Sequence, residues 1–138
     1  MHEANTQVTS SVVPESLRLT IFPRFIGTEH MLHFEALVYG WMRRLSEDYT
    51  GGHWNFYTLS NGGFYMAPAA SADLRILVEG NCFDGKLSPD AAGLVACLFA
   101  LNQLACETQL TKLVDLYHQV RDFSLDHAQA ALICRAID

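Results

Sequence analysis

Residues 51–68 read GGHWNFYTLSNGGFYMAP, and the Asn61-Gly62 pair inside them is the strongest short-range turn signal in the chain. Asn-Gly supplies the two positive φ angles of a type I′ hairpin turn. A two-residue loop there sets Ser60 opposite Gly63, Leu59 opposite Phe64, Tyr57 opposite Met66 and Phe56 opposite Ala67. One face then carries Tyr57, Leu59, Phe64 and Met66, and the other Trp54, Phe56, Tyr65 and Ala67. Both faces are apolar, so neither can be left in water without exposing a large patch. The ribbon must lie between two layers or use one face to bind something. Stacking of nucleic-acid bases on these rings calls for cations nearby, and no Lys or Arg occurs from 45 to 74. Burial between layers is the expectation.

The rest of the chain can supply those layers. With 138 residues, half of them hydrophobic and 17% charged, it is the size of one domain and can bury a continuous core. Residues 1–16 are polar and lack an apolar period, which predicts a flexible N-terminal arm, leaving 17–138 as the single domain. LRLTIF (17–22) alternates apolar and polar residues and predicts a first strand ended by Pro23. From Thr28, a candidate N-cap, residues 29–49 place Met31, Phe34, Val38, Trp41, Met42 and Leu45 at helical spacing. Gly40 inside that helix costs roughly 1 kcal/mol relative to Ala, so a second backbone is expected close to it. DLRILVEG (73–80) predicts a strand that joins the hairpin as a meander, and the Gly80-Asn81 and Asp84-Gly85 pairs after it predict consecutive turns.

Three helices follow. Ser88 caps the first, with Pro89 at its first position and Asp90 in its first turn, and its nearly all-round apolar character marks the central core helix. The second spans about 109–122 and the last starts from Asp126. The fold class expected is α+β: a small antiparallel sheet, a meander with a central hairpin, covered by about four α-helices.

Charge excludes some functions. Fifteen acids against nine bases give a net charge of −6, unlike a domain built to grip phosphates. Imitation of nucleic acid fails on magnitude. A globule of this length has a radius of gyration of roughly 14 Å and a diameter of about 36 Å, and duplex DNA of that length carries about 21 negative charges. No window approaches a membrane span and the N-terminus lacks a signal-peptide pattern, so a cytoplasmic location is expected. Cys82, Cys97, Cys106 and Cys134 contain no CxxC pair and are expected to be reduced; three lie in apolar helical patterns and are expected to be buried, with Cys82 as the alternative, a reactive thiol. No GxSxG, P-loop, dinucleotide fingerprint or EF-hand loop is present. His30 and His33 one turn apart beside Glu29 are a conceivable metal face, and Cys82, His53 and Asp84 a conceivable nucleophile, base and orienting acid. Their spacing demands neither, and no catalytic residue, cofactor or metal is expected.

Two long phrases carry more specific information: EALVYGWMRRLSEDYTGGHWNFYTLSNGGFYMAP, and LRILVEGNCFDGKLSPDAAGLVACLFALNQLA after it. From about Leu17 to the C-terminus the chain resembles the ArdB/KlcA antirestriction proteins of plasmids and genomic islands. The resemblance implies an α+β protein, not an enzyme, that inhibits host type I restriction-modification enzymes and so protects incoming plasmid or phage DNA. Its implied partner is the type I complex, met directly or indirectly, with neither strong direct DNA binding nor a membrane involved, and the chain is expected to be a monomer. DNA-mimicking antirestriction proteins are a separate, far more acidic family, in line with the charge argument. The alternative class is a small cytoplasmic enzyme or metal-binding module using His30, His33, His53 or Cys82.

Candidate partner contacts are the acids of the helical C-terminal third: Asp115, Asp122, Asp126 and the terminal Asp138, with Glu107 nearby. Asp115 and Asp122 are seven residues apart and share a helix face. They read either as a solvated face or as a patch that meets a basic surface of the restriction machinery.

Overall fold

A computed structural model describes residues 7–138. Five strands, β1 (Ser10–Val12), β2 (Trp54–Leu59), β3 (Phe64–Pro68), β4 (Leu74–Val78) and β5 (Phe83–Leu87), combine with five α-helices. These are α1 (Ile21–Phe25), α2 (Met31–Leu45), α3 (Pro89–Thr108), α4 (Thr111–Leu125) and α5 (Ala130–Ile137). The class is α+β, with two small antiparallel sheets, β1-β2-β3 and β4-β5, in place of one meander.

The hairpin lies between two layers, as its two apolar faces require, but its register differs by one residue. Tyr57 pairs with Tyr65 and Phe56 with Met66. The loop has three residues, Ser60 to Gly62, closed by Leu59 N–H donating to Gly63 O (2.9 Å) and Gly62 N–H to Leu59 O (3.0 Å). Gly62 alone takes the left-handed conformation (φ 95°), so this is a turn ending in a glycine bulge and not a type I′ turn. A slip of one exchanges the faces of β3. Trp54, Phe56, Phe64 and Met66 now share a face, on which Phe25 and Phe34 lie 4.8 and 5.8 Å from the Phe64 ring and Tyr39 lies 5.3 Å from Trp54. The opposite face carries Tyr57, Tyr65 and Ala67; Tyr65 stacks on Tyr57 at 4.7 Å and on Phe123 of α4 at 5.4 Å.

Helix α3 closes that second face. Ser88 accepts from Ala91 N–H (3.1 Å) and Pro89 opens the helix, as expected. A Cβ on Gly93 would stand 2.5 Å from Ala67 Cα and 2.6 Å from Met66 O, so only a hydrogen fits between helix and strand. The Cys97 thiol donates to Met66 O (3.4 Å). Strand β4 does not join this sheet and pairs instead with β5.

Other expectations are corrected. LRLTIF is not a strand: Glu15–Thr20 form a 3₁₀ turn that runs into α1. Leu17 N–H donates to Pro14 O and Thr20 Oγ1 to Leu17 O, and Pro23 falls in the first turn of α1, where its missing N–H costs nothing. Ile21, Phe22, Phe25 and Ile26 have helical spacing, whereas Leu19 is 92% exposed. Ser10–Val12, inside the expected arm, are the edge strand of the first sheet and Val13 is buried; residues 1–6 of that arm lie outside the described residues. His30, not Thr28, is at the N-cap of α2. Asp84-Gly85 lies within β5, and only the Gly80-Asn81 turn is formed. The last two helices start later than expected, at Thr111 and Ala130. Nothing comes within 4 Å of a Cβ on Gly40, so the close approach expected there occurs at Gly93.

The two helical glycines therefore respond oppositely. Gly93→Ala is expected to lower stability by about 1–3 kcal/mol or more through overpacking, and Gly40→Ala to raise it by about 0.4–1 kcal/mol. Urea unfolding of the two variants checks both signs, and equal effects would contradict this packing.

Candidate functional site

The histidines considered as metal ligands are engaged separately. His30 meets Glu29 at 3.0 Å, while His33 meets Glu107 at 2.9 Å across the α2–α3 junction. Glu107 also accepts from Gln103 (3.0 Å), whose Oε1 accepts from the Trp41 indole (3.0 Å). Hydrogen bonds from Gln103 and His33 hold the Glu107 carboxyl below its usual range. No group of three His, Cys, Asp or Glu side chains suited to a metal occurs among the described residues. Asp84 accepts from Arg75 Nε (2.9 Å) and Nη2 (2.8 Å), which lowers its carboxyl, and His53 is exposed just ahead of β2. Cys82 is exposed in a left-handed turn (φ 62°). Of the three cysteines expected inside, only Cys97 is buried, and burial pushes its thiol up to about 12; Cys106 is exposed and Cys134 intermediate.

The acids of the C-terminal third do not form one uniform patch. Asp115 lines a groove of about 410 Å³ together with Arg24, Lys112 and Gln119. Asp126 accepts the Val8 N–H (3.0 Å) and so tethers the chain ahead of β1. Asp122 and the terminal Asp138 are exposed, and Glu107 sits on α3 with His33. An acidic grouping that sequence spacing did not show surrounds Arg75, whose guanidinium is stabilised by Asp84, Glu47 and Asp48. It draws on the segment after α2 and both strands of the second sheet.

The most connected polar group is part-buried, with Tyr65 inside and Asp90 half-exposed. Tyr65 donates to Asp90 Oδ1 (2.7 Å) and His127 Nε2 lies 2.8 Å from Asp90 Oδ2. His127 Nδ1 accepts the Gln129 N–H (3.0 Å), so in the neutral ring the proton is on Nε2 and is donated to Asp90. Gln129 Oε1 in turn accepts from Ser88 N–H (2.9 Å). Asp90 sits in the first turn of α3, where the helix dipole favours a carboxylate. Burial first, and then the Asp90 carboxylate, drives the Tyr65 phenol far above its ordinary pKa and keeps it protonated. This arrangement can hold β3, the α3 N-terminus and the α4–α5 connection together. Its phenol, 1% exposed under two rings, is closed to a substrate.

Comparison with known proteins decides the family. The family described as Antirestriction protein matches residues 47–138. This chain belongs to it. The antirestriction protein KlcA of Escherichia coli is 51% identical over 142 residues covering all of both chains, and a second KlcA of Escherichia coli is 53% identical over 95% of this chain and 94% of its own. The uncharacterised protein YafX of Escherichia coli K12 is 36% identical over 96% of this chain and 89% of its own. A solved structure, 51% identical and covering all of both chains, superposes with a TM-score of 0.91. It comes from work describing the KlcA and ArdB proteins as having a novel fold and antirestriction activity against type I DNA restriction systems in vivo but not in vitro.

In this antirestriction protein the Tyr65–Asp90–His127 group is expected to act as one unit. Tyr65→Phe and His127→Ala are each expected to cost about 1–3 kcal/mol, by leaving a polar partner unsatisfied, and the double variant less than the sum; additivity in a double-mutant cycle would refute the coupling. Thiol labelling gives a second check. Cys82 and Cys106 are expected to react in the native protein at pH 8, and Cys97 only on unfolding.

Proposed function

We propose that this protein relieves type I restriction in the cell that carries it and so protects incoming DNA. The observation that carries the proposal is identity above half, over the full chain, to proteins of that activity, together with near-superposition of the fold. A net charge of −6 and cations interleaved with acids, as at Arg24, Lys112 and Asp115, argue against imitation of a whole duplex. Activity of KlcA and ArdB in vivo but not in vitro favours a route that needs a further component of the cell, over direct blockade of the purified restriction enzyme. Separate carboxylate partners for His30 and His33, and an Asp84 taken by Arg75, support a role without catalysis.

Among the candidate contact acids, Asp122 and Asp138 suit a basic partner surface better than Asp115, which is flanked by cations, or Asp126, which binds Val8. Expression of the protein is expected to raise the plating efficiency of unmodified phage at least tenfold on cells with an active type I system. Cells lacking that system should show no change. Equal plating with and without the protein, at verified expression, would refute the proposal.

A further inference from the structure

Asn61 is the one asparagine of the chain that is followed by glycine. That pairing carries a chemistry of its own, because a glycine has no Cβ to hinder its backbone nitrogen from closing on the side-chain amide before it. In the reaction the Gly62 nitrogen gives up its proton and attacks Asn61 Cγ; a C–N bond forms, the Cγ–Nδ2 bond breaks, and Nδ2 leaves with that proton as ammonia. Water then opens the cyclic imide at either carbonyl and leaves aspartate or isoaspartate at position 61. No other reactant is needed.

We propose that Asn61 is a modification site gated by the fold: docked on α4 the hairpin loop resists deamidation, and once released it is converted to an acid that cannot dock again. Each group that the reaction uses is held. The attacking nitrogen donates its proton to Leu59 O (3.0 Å). The leaving nitrogen donates to Gln119 O (2.9 Å), the amide oxygen accepts from Gly63 N–H (3.1 Å), and the Asn61 carbonyl accepts from Gln119 Nε2 (3.2 Å). Gln119 thus grips Asn61 with both its main chain and its side chain. Ring closure requires the amide to leave Gln119 and Gly63, and the Gly62 N–H to leave Leu59, so the rate follows the fraction of time the loop is open. Burial is not the guard. Gly62 is exposed and Asn61 half-buried, which leaves the hydrogen bonds as the protection.

The product differs where the lock is made. A carboxylate oxygen in place of Nδ2 sets two acceptors against each other at the Gln119 carbonyl, where a donor and an acceptor lie 2.9 Å apart in the intact protein. Isoaspartate also lengthens the main chain inside a short loop whose ends Leu59 and Gly63 close. There is little slack beside it, since a Cβ on Gly63 would stand 2.9 Å from Gln119 Cβ. Opening is reversible before the reaction and not after it.

Peptide mapping by mass spectrometry, on the full chain incubated at pH 8, tests the gate. In urea Asn61 is expected to convert ahead of Asn55, Asn81 and Asn102, and in the folded protein at least tenfold more slowly than in urea. Gln119→Ala, shown by its melting curve to be folded, should convert at least threefold faster than wild type; Gln119→Glu, which keeps the shape and removes the Nε2 donor, takes its place if the first variant does not fold. The product is tested separately with Asn61→Asp, which is expected to melt below wild type. Equal Asn61 rates in folded and unfolded wild type would overturn the inference whatever the variants do, and so would a folded Gln119 variant no faster than wild type. An Asn61→Asp variant that melts like wild type would overturn the one-way step.

Discussion

Contact between α3 and β3 at Gly93 sets the spacing of the whole molecule. With only a hydrogen between helix and strand, the backbone of Ala67 and Met66 lies directly under α3, and a side chain of any size at 93 would push the layers apart. Every residue of β3 is consequently buried on both faces. Helix α3 must then be apolar on several sides at once, because it meets β3, α2, α4 and α5 together. Its 20 residues are long and apolar enough to cross a membrane by length and composition, but 61% of the most apolar window is buried inside the protein. That apolarity is accounted for by its central position.

Local signals were legible where one element decides its own shape. Ser88-Pro89-Asp90 specify a helix start by capping, fixed φ and dipole, and the helix begins there. Asn61-Gly62 marks a hairpin correctly, yet the dipeptide serves a type I′ turn and a three-residue bulged loop alike. Asn61 chooses the second: its Oδ1 accepts from Gly63 N–H (3.1 Å) within the loop, and its Nδ2 donates to Gln119 O (2.9 Å), a contact that only the tertiary fold provides. Alternation in LRLTIF misled for a related reason. Two exposed leucines in a 3₁₀ turn mimic period 2, and the apolar set that matters begins at Ile21 and continues past Pro23. The same holds for Gly40 and Gly93, which composition cannot tell apart; only the position of β3 separates a glycine that is needed for space from one that is not.

The family was legible by a different route. The Tyr65–Asp90–His127 group joins residues 25 and 37 positions apart, from a strand, a helix start and a helix connection, and no spacing rule links them. The acidic grouping around Arg75 is equally hidden, because Asp48 reaches its backbone N–H from 27 positions away. Two long phrases identified the family because they contain the residues that build the hairpin, the α3 start and their contact. Such a phrase identifies a fold and a family, while saying little about which surface acts.

Rings on the hairpin and rings on the surface serve different ends. Trp54, Phe56, Phe64 and Tyr65 are all buried, so the aromatic stretch that invites a stacking role is spent on the core and is closed to bases. Trp41, Phe99 and Tyr117 are partly buried instead, and each lines at least one surface depression. A core shortage does not explain their position, since α2 and α3 already bury Phe34, Val38, Met42 and Leu98 between the layers. Trp41 and Phe99 stack on one another at 4.7 Å and Trp41 donates its indole N–H to Gln103, so these partly exposed rings are held by neighbours on α2 and α3, unlike an isolated exposed side chain such as Leu19.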